Sequence, residues 1–347
     1  MSEPSEPGSG HEVVEDDALF QDILFGLFGY QAFMVALELD LFSALAKTPL
    51  AVAALAEQLG LARNSAEALV MVCLSLKLLQ RTDELLTLTK KSEVYLLPDS
   101  PLYIGDFLKN VAIRQSESTS YPCVRAALRG EASHLQKSEA LFESHEKEAE
   151  RAQRFAHSMH GHSMASAMQW PSKVDLGDVR HMVDVGGGSG AHAIGAALHW
   201  PQLTVSVLEL PALTPVVGHY AAAYGVADRV RAVARDFWHD PLPPGDLHFF
   251  GDIFHDWPND KAAALMRKSF DALRPGGRLI IHEILYHDDR AGPLAAAGLS
   301  VAMLVWFEGK QRSGSEYEGM LRSVGFRDIE AQPVFGYWSI VTAHKLG

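Results

Sequence analysis

Four glycines in five residues, Gly186-Gly187-Gly188-Ser189-Gly190, follow the apolar run His181–Val185 and precede a helix-patterned stretch. Glycines let a backbone turn sharply and approach a ligand closely. The helix start that follows offers free N–H groups to an anion. Around this junction short apolar runs alternate with helical patterns. Strands are expected at His181–Val185, Thr204–Glu209, Val230–Ala234, Leu247–Gly251 and Arg278–Glu283, with helices at Ala191–His199, Thr214–Tyr224 and Asp260–Leu273. Such alternation predicts a parallel sheet covered on both faces. Ligands of such sheets bind beyond the carboxyl ends of the strands.

The preceding part, from about residue 18 to residue 165, is patterned mostly as helix. Leu19, Ile23, Leu24, Leu27 and Phe28 recur at helical spacing, followed by Phe33, Leu37, Leu41 and Leu45. Val52–Leu59 and Ser65–Leu79 predict two short helices split by Gly60, and Leu85–Leu88 before Lys90-Lys91 predicts a β-wing. Helix–turn–helix plus wing is a winged-helix pattern. Between Ala51 and Tyr95, Arg63, Lys77, Arg81, Lys90 and Lys91 are balanced by Glu57, Glu67, Asp83, Glu84 and Glu93. A balanced module lacks the electrostatic footprint of DNA binding. The apolar excess of Phe20–Leu45 points instead to dimerisation.

Bulk properties narrow the classes further. The 347 residues allow two domains, and the net charge of -13 opposes nucleic acid and anionic membrane partners. Cys73 and Cys123 cannot form a disulfide framework and suit small apolar positions in a reducing compartment. Residues 1–17 are acidic and rich in Ser, Pro and Gly, and predict a disordered tail rather than a signal peptide. Phe20–Leu45 is interrupted by Glu38 and Asp40, so no membrane span is expected and a cytoplasmic enzyme is the default.

The glycine loop by itself leaves its ligand open. Gly186, Gly188 and Ala191 satisfy the dinucleotide fingerprint, and Glu209 suits a ribose hydroxyl in any nucleotide cofactor. Two features favour S-adenosylmethionine (SAM). Asp184 is a carboxylate inside the strand; it wants a donor, and SAM carries an ammonium that NAD lacks. Arg235-Asp236-Phe237 follows the third strand, where Asp236 can accept from an adenine amino group and Phe237 can stack on the ring. A loop carboxylate beside a core aromatic would look the same.

Strand Leu247–Gly251 ends in Asp252-Ile253-Phe254-His255-Asp256-Trp257. Histidine suits deprotonation near neutral pH. A phenol lies about 3.5 pKa units above it, about 5 kcal/mol if the proton left first. Transfer concerted with methyl attack avoids much of that. Asp256 beside the ring and Glu283 at the next strand end are two candidate orienting carboxylates. Met303, Trp306 and Phe307 share a helix and can line an aromatic pocket or pack the core. His157, His160 and His162 have metal-like spacing without a nearby carboxylate or Cys, so no metal is expected there.

Val183–Gly190, Arg235–Phe237, His255–Pro258 and Leu273–Gly277 together resemble the SAM-dependent class I O-methyltransferases of the caffeic acid and acetylserotonin type. Asp289–Pro293, Met303–Val305, Glu308-Gly309 and Ser323–Asp328 extend the resemblance over nearly the whole chain. It implies a winged-helix dimerisation domain at 18–110, a helical connector at 111–165 that contributes to the active site, and a Rossmann-like catalytic domain at 166–347. It implies His255 as base, Glu283 as orienting carboxylate, and cofactor contacts from Glu209, Asp236 and Phe237. Phe155, Met159, His162 and Ser163 match a motif that implies substrate packing by Met159 and carboxylate binding by Ser163. The implied partners are a small aromatic substrate and a second copy of the chain, with S-adenosylhomocysteine as the cofactor product. Two departures bear on the acceptor. Gln311 stands where the family has a second acid beside the base, and Asp252 stands where animal members have Arg. An acid at 252 suits a cationic substrate group. N- or C-methylation, or SAM binding without transfer, are the alternatives these departures leave open.

Overall fold

The computed structural model describes residues 16–113, 119–131 and 149–347. The expected tail lies almost wholly outside the described residues. The chain divides into two compact units, Met1–Ser100 and Pro101–Gly347.

The first unit runs α1 (Ala18–Glu38), α2 (Leu41–Lys47), α3 (Val52–Gln58), α4 (Arg63–Ser75), β1 (Leu79–Thr82), β2 (Leu85–Leu88) and α5 (Lys90–Tyr95). Its breaks fall at left-handed residues: Asp40 (φ 53), Gly60 (φ 65), Lys77 (φ 57) and Asp83 (φ 54). The helix expected to reach Leu79 therefore stops at Ser75, and Leu79 enters an antiparallel hairpin opposite Leu88. Leu37, Leu41, Phe42, Leu45, Leu55, Val70, Cys73 and Leu86 are buried.

Helix α1 is different. Leu19, Phe20, Ile23, Leu24, Phe25, Leu27 and Phe28 are all more than half exposed. By length and composition α1 would also pass as a membrane-crossing helix, with hydropathy 1.3 over its best window. This corrects the expectation that Glu38 and Asp40 cut the run too short, because the helix is complete before Leu39.

The second unit opens with α6 (Gly105–Ile113), α7 (Tyr121–Leu128) and α8 (Ala149–Ala167). The boundary expected at residue 110 falls inside α6, which packs on α8: Phe107 stacks on His162 at 4.1 Å, and Asn110 donates to Ser158 Oγ at 3.3 Å. Next come β3 (His181–Val185), α9 (Ala191–His199), β4 (Thr204–Glu209), α10 (Thr214–Ala223), β5 (Val230–Ala234), β6 (Leu247–Gly251) and α11 (Asn259–Ala272). The unit ends with β7 (Arg278–Ile284), α12 (Leu294–Trp306), α13 (Gly314–Val324), β8 (Arg327–Phe335) and β9 (Trp338–His344).

These strands form one sheet in the order β5-β4-β3-β6-β7-β9-β8. Strands β3 to β7 pair in parallel, as expected; β9 runs antiparallel between β7 and β8, which the sequence patterning did not indicate. Side chains alternate between faces along each strand. Val183, Val185, Leu279 and Ile281 pack with Leu265, Met266 and Leu321 on one side. Met182, Phe249 and Ile280 pack with Ile194, Val217 and Trp170 on the other. Strand order reverses between β3 and β6, so a crevice opens where both carboxyl ends meet.

Candidate active site

The glycine loop leaves β3 at that crevice. Gly186, Gly188 and Gly190 take φ values of 69, 58 and 80°, which favour glycine. A Cβ on Gly186 would lie 2.6 Å from Ile253 Cδ1 and 3.3 Å from Phe237 Cε1. The loop, the Phe237 ring and the residue after Asp252 thus meet. Above Gly188 there is open space.

Two acids sit under and beside the loop. Asp184 is fully buried, with Oδ2 2.5 Å from where a Gly187 Cβ would be, and no side chain donates to either oxygen. Burial pushes its carboxyl up to about 7 against the pull of the Ala193 amide. Glu209 Oε1 accepts from the Gly188 amide at 3.3 Å and Oε2 from the Leu210 amide at 2.6 Å. Burial lifts it to about 7 as well. A buried acid without a side-chain donor, a second acid on the loop and room above Gly188 fit a ligand carrying ammonium and hydroxyl groups.

Other sequence candidates are placed differently. Asp236 spends its oxygens on its own turn, accepting from the Trp238 amide at 2.7 Å and facing His239 Nδ1 at 2.6 Å. Met159 and Ser163 are half-buried on α8. The α8 residue that grips the loop is His160, whose Nδ1 lies 2.9 Å from Ser189 Oγ. Burial pushes its pKa down to about 3, so the ring is neutral.

His255 stands in a tight turn, Phe254–Asp256, just past β6, and is 8% exposed. Nδ1 lies 3.6 Å from Glu283 Oε1 and 3.9 Å from Asp252 Oδ1, while Nε2 lies 3.4 Å from Asp256 Oδ1. The two candidate orienting carboxylates therefore address opposite ring nitrogens. Burial lowers the His255 pKa, opposed by Glu283 and assisted by Arg312. Burial, with Glu283 nearby, raises Asp252 and Asp256 well above the usual carboxylate range. Glu283 is fully buried; Oε1 accepts the backbone amide of His255 at 3.0 Å and Oε2 accepts the Tyr317 hydroxyl at 2.5 Å.

The segment after α12 braces this turn, and sequence reasoning assigned it no such role. A Cβ on Gly309 would lie 2.5 Å from the Asp256 carbonyl carbon and the Trp257 nitrogen. The fully buried Arg312 donates to Phe254 O at 2.7 Å, Trp257 O at 2.8 Å and Asn259 Oδ1 at 2.9 Å. A guanidinium that spans both ends of the turn fixes its shape. No local cue marked it: Arg312 stands three residues past Gly309, between the polar neighbours Gln311 and Ser313.

Among substrate candidates, Met303 is buried and Trp306 and Phe307 are half-buried on or beside α12. Gln311 is fully buried, and neither amide atom has a partner. It lines a pocket of about 290 Å³ with Tyr286, Arg290, Ser300, Leu304 and Lys310. His162 lies between the Phe107 ring and the Trp338 edge, and burial, with His255 adding to it, lowers its pKa to about 4.

Residues 129–327 match the O-methyltransferase domain model, and residues 21–98 match the O-methyltransferase dimerisation domain model. The chain is 34% identical to 3-hydroxy-5-methyl-1-naphthoate 3-O-methyltransferase of Streptomyces sahachiroi, over 90% of each sequence. It is 30% identical to acetylserotonin O-methyltransferase of Bos taurus, over 98% of this chain and 99% of the relative. Human N-acetylserotonin methyltransferase, solved in complex with SAM, superposes with a TM-score of 0.81 at 27% identity, covering 97% of this chain and 100% of that one. The dimerisation match covers residues 21–38 of α1, where the exposed Ile23, Leu24, Phe25, Leu27 and Phe28 lie. The chain belongs to the O-methyltransferase family, with a dimerisation domain ahead of its catalytic domain.

Proposed function

We propose that this chain is a homodimeric, SAM-dependent O-methyltransferase that acts on a hydroxyl, phenolic in character, of a small aromatic molecule. Its general base is His255, oriented by Glu283. The observation that carries this reading is the placement of the His255 ring, with Glu283 on its Nδ1 side, at the strand end beside the glycine loop. The relatives named for a naphthoate 3-hydroxyl and for acetylserotonin support an aromatic hydroxyl acceptor.

When bound, SAM would supply an electrophilic methyl on a sulfonium, with S-adenosylhomocysteine as the product. Asp184 and Glu209 would take its ammonium and ribose hydroxyls, and the backbone from Gly186 to Gly188, Ser163 and Phe237 would complete its contacts; Asp236 would reach the adenine only by giving up a bond of its own turn. Met159, His162, Met303, Trp306, Phe307 and Gln311 face the acceptor. Glu283 is the carboxylate nearest Nδ1, at 3.6 Å; closing that gap would hold the hydrogen on Nδ1 and leave Nε2 to take the hydroxyl proton as the oxygen attacks. Asp256 faces that same Nε2, which favours Glu283 over Asp256 as the orienting group. Neutral imidazole at rest, maintained by burial, is the form a base needs.

The test is one assay with labelled SAM and a panel of phenols, catechols, enols and amines. His255→Ala is expected to lower kcat on the order of 10²- to 10⁴-fold with SAM affinity unchanged. A variant that methylates as fast as wild type would sink the assignment.

A further inference from the structure

A second group of side chains converges beside the crevice, and the methyl-transfer reading does not use it as a unit. His192 enters from the first turn of α9, His282 from β7, and Asp252 from the residue after β6. One ligand-capable atom from each lies within 4.8 Å of the others. The two imidazole rings sit 4.5 Å apart between centroids. His192 is 6% exposed and His282 1%.

Their polar atoms are orphaned together. Both ring nitrogens of His192, Nδ1 of His282 and Oδ1 of Asp252 have no hydrogen-bond partner. Leaving one buried polar group unpaired costs about 1–3 kcal/mol. Several in one place call for a common partner. The backbone is shaped around the group. A Cβ on Gly251 would stand 2.9 Å from His192 Cδ2, so glycine there admits the ring. Asp252 holds φ 57°, an uncommon conformation for its type. Its amide donates to His282 O at 3.1 Å, which ties the carboxylate to the strand that carries the second imidazole. Ser166 Oγ lies 2.5 Å from His282 Nε2, an outer hydrogen bond of the kind that orients a metal-ligating imidazole.

We propose that His192, Asp252 and His282 bind one divalent transition-metal ion. Two imidazoles and one carboxylate suit borderline ions such as zinc, cobalt or nickel. Magnesium and calcium prefer sets made of oxygen alone. Three protein ligands leave at least one position for water or an oxygen donor. The cation that Asp252 receives is then a metal ion rather than a charged group of the substrate. The other histidines on α8 do not converge with a carboxylate in this way: His157 Nδ1 meets Tyr220 OH at 2.9 Å, and His160 Nδ1 meets Ser189, leaving its Nε2 alone unpaired. The proposal goes beyond methyl transfer and stands or falls without it.

The experiment uses tag-free full-length protein stripped with chelator. Cobalt(II) is titrated in while its visible d–d bands are followed, and zinc is titrated in competition with a chromophoric chelator. The expected result is one equivalent per chain, weakened at least about tenfold in His192→Phe and in the near-isosteric Asp252→Asn. His160→Gln is expected to bind as wild type does. Circular dichroism melts report whether each variant is folded. Should His192→Phe not fold, Asp252→Asn alone decides. Absence of uptake by wild type overturns the proposal, as does uptake that survives in the folded variants; a buried water is then the common partner.

Discussion

Tyr317 donates its hydroxyl to Glu283 Oε2, so the carboxylate facing His255 is itself held from a helix that carries no recognised motif. Arg312, whose guanidinium lies 5.7 Å from the Tyr317 ring, grips the turn of His255 from the other end. Base, carboxylate, phenol and guanidinium form one buried assembly, and the first prediction concerns its outer member. Tyr317→Phe keeps the ring but leaves Oε2 unpaired. It is expected to cost about 1–3 kcal/mol of stability and to lower kcat about tenfold with SAM affinity unchanged. Denaturant unfolding and initial rates check both, and unchanged rates would remove Tyr317 from the positioning of Glu283.

Gly309→Ala forces the 308–312 segment away from Asp256 and Trp257. A shift of about 1 Å in the turn lowers kcat on the order of 100-fold. The matching control is Gly319→Ala, because nothing lies within 4 Å of a Cβ there. Equal rates for the two variants would show that the turn tolerates displacement.

His248 and His160 carry a pH signature. Burial lowers them to about 4 and about 3. Their folded pKa values lie below the unfolded value, so the folded chain binds fewer protons below pH 6.5 or so. The stability these neutral rings allow is present above that pH and is lost as pH falls toward the folded values, on the order of 3 kcal/mol each. Asp184 and Glu209, raised to about 7, act in the opposite sense between about pH 4 and about pH 7. A difference measurement isolates one group. His248→Gln is expected to melt below wild type near neutral pH, with the gap narrowing toward about pH 5. A gap that widens would contradict the assignment of a buried neutral ring.

Leu24 and Phe28 are 57% and 64% exposed on α1. The double variant Leu24→Glu/Phe28→Glu is expected to elute as one copy where wild type elutes as two. Light scattering on the column reads the mass directly, and a variant that stays paired would place the contact elsewhere.

Much of the second unit was legible because its parallel strands are short, apolar and bounded by turn residues. The glycine loop and the His255 turn stood at strand ends, where ligands bind. The C-terminal hairpin was not legible: β8 contains Glu330, Gln332 and Pro333, and its mostly exposed pattern is that of an edge strand. Tyr317 and Arg312 were missed for another reason. Tyr317 lies 34 positions from Glu283 in sequence, and Arg312 lies 58 from Phe254. No local pattern records a contact made only by packing. Asp236 shows the converse, since its motif suggested an adenine partner while its nearest donors belong to its own turn.

The placement of β9 has a consequence for biosynthesis. Glu283 lies on β7, and one edge of β7 is completed by residues 338–344, from Trp338 opposite Ile284 to His344 opposite Arg278. On a ribosome the strands around the glycine loop emerge well before those residues do. Until they arrive, β7 presents an open hydrogen-bonding edge, the kind that invites pairing with other nascent chains. The cofactor cradle can thus form early, whereas the strand that carries the carboxylate beside His255 is enclosed only once residues 338–344 have emerged.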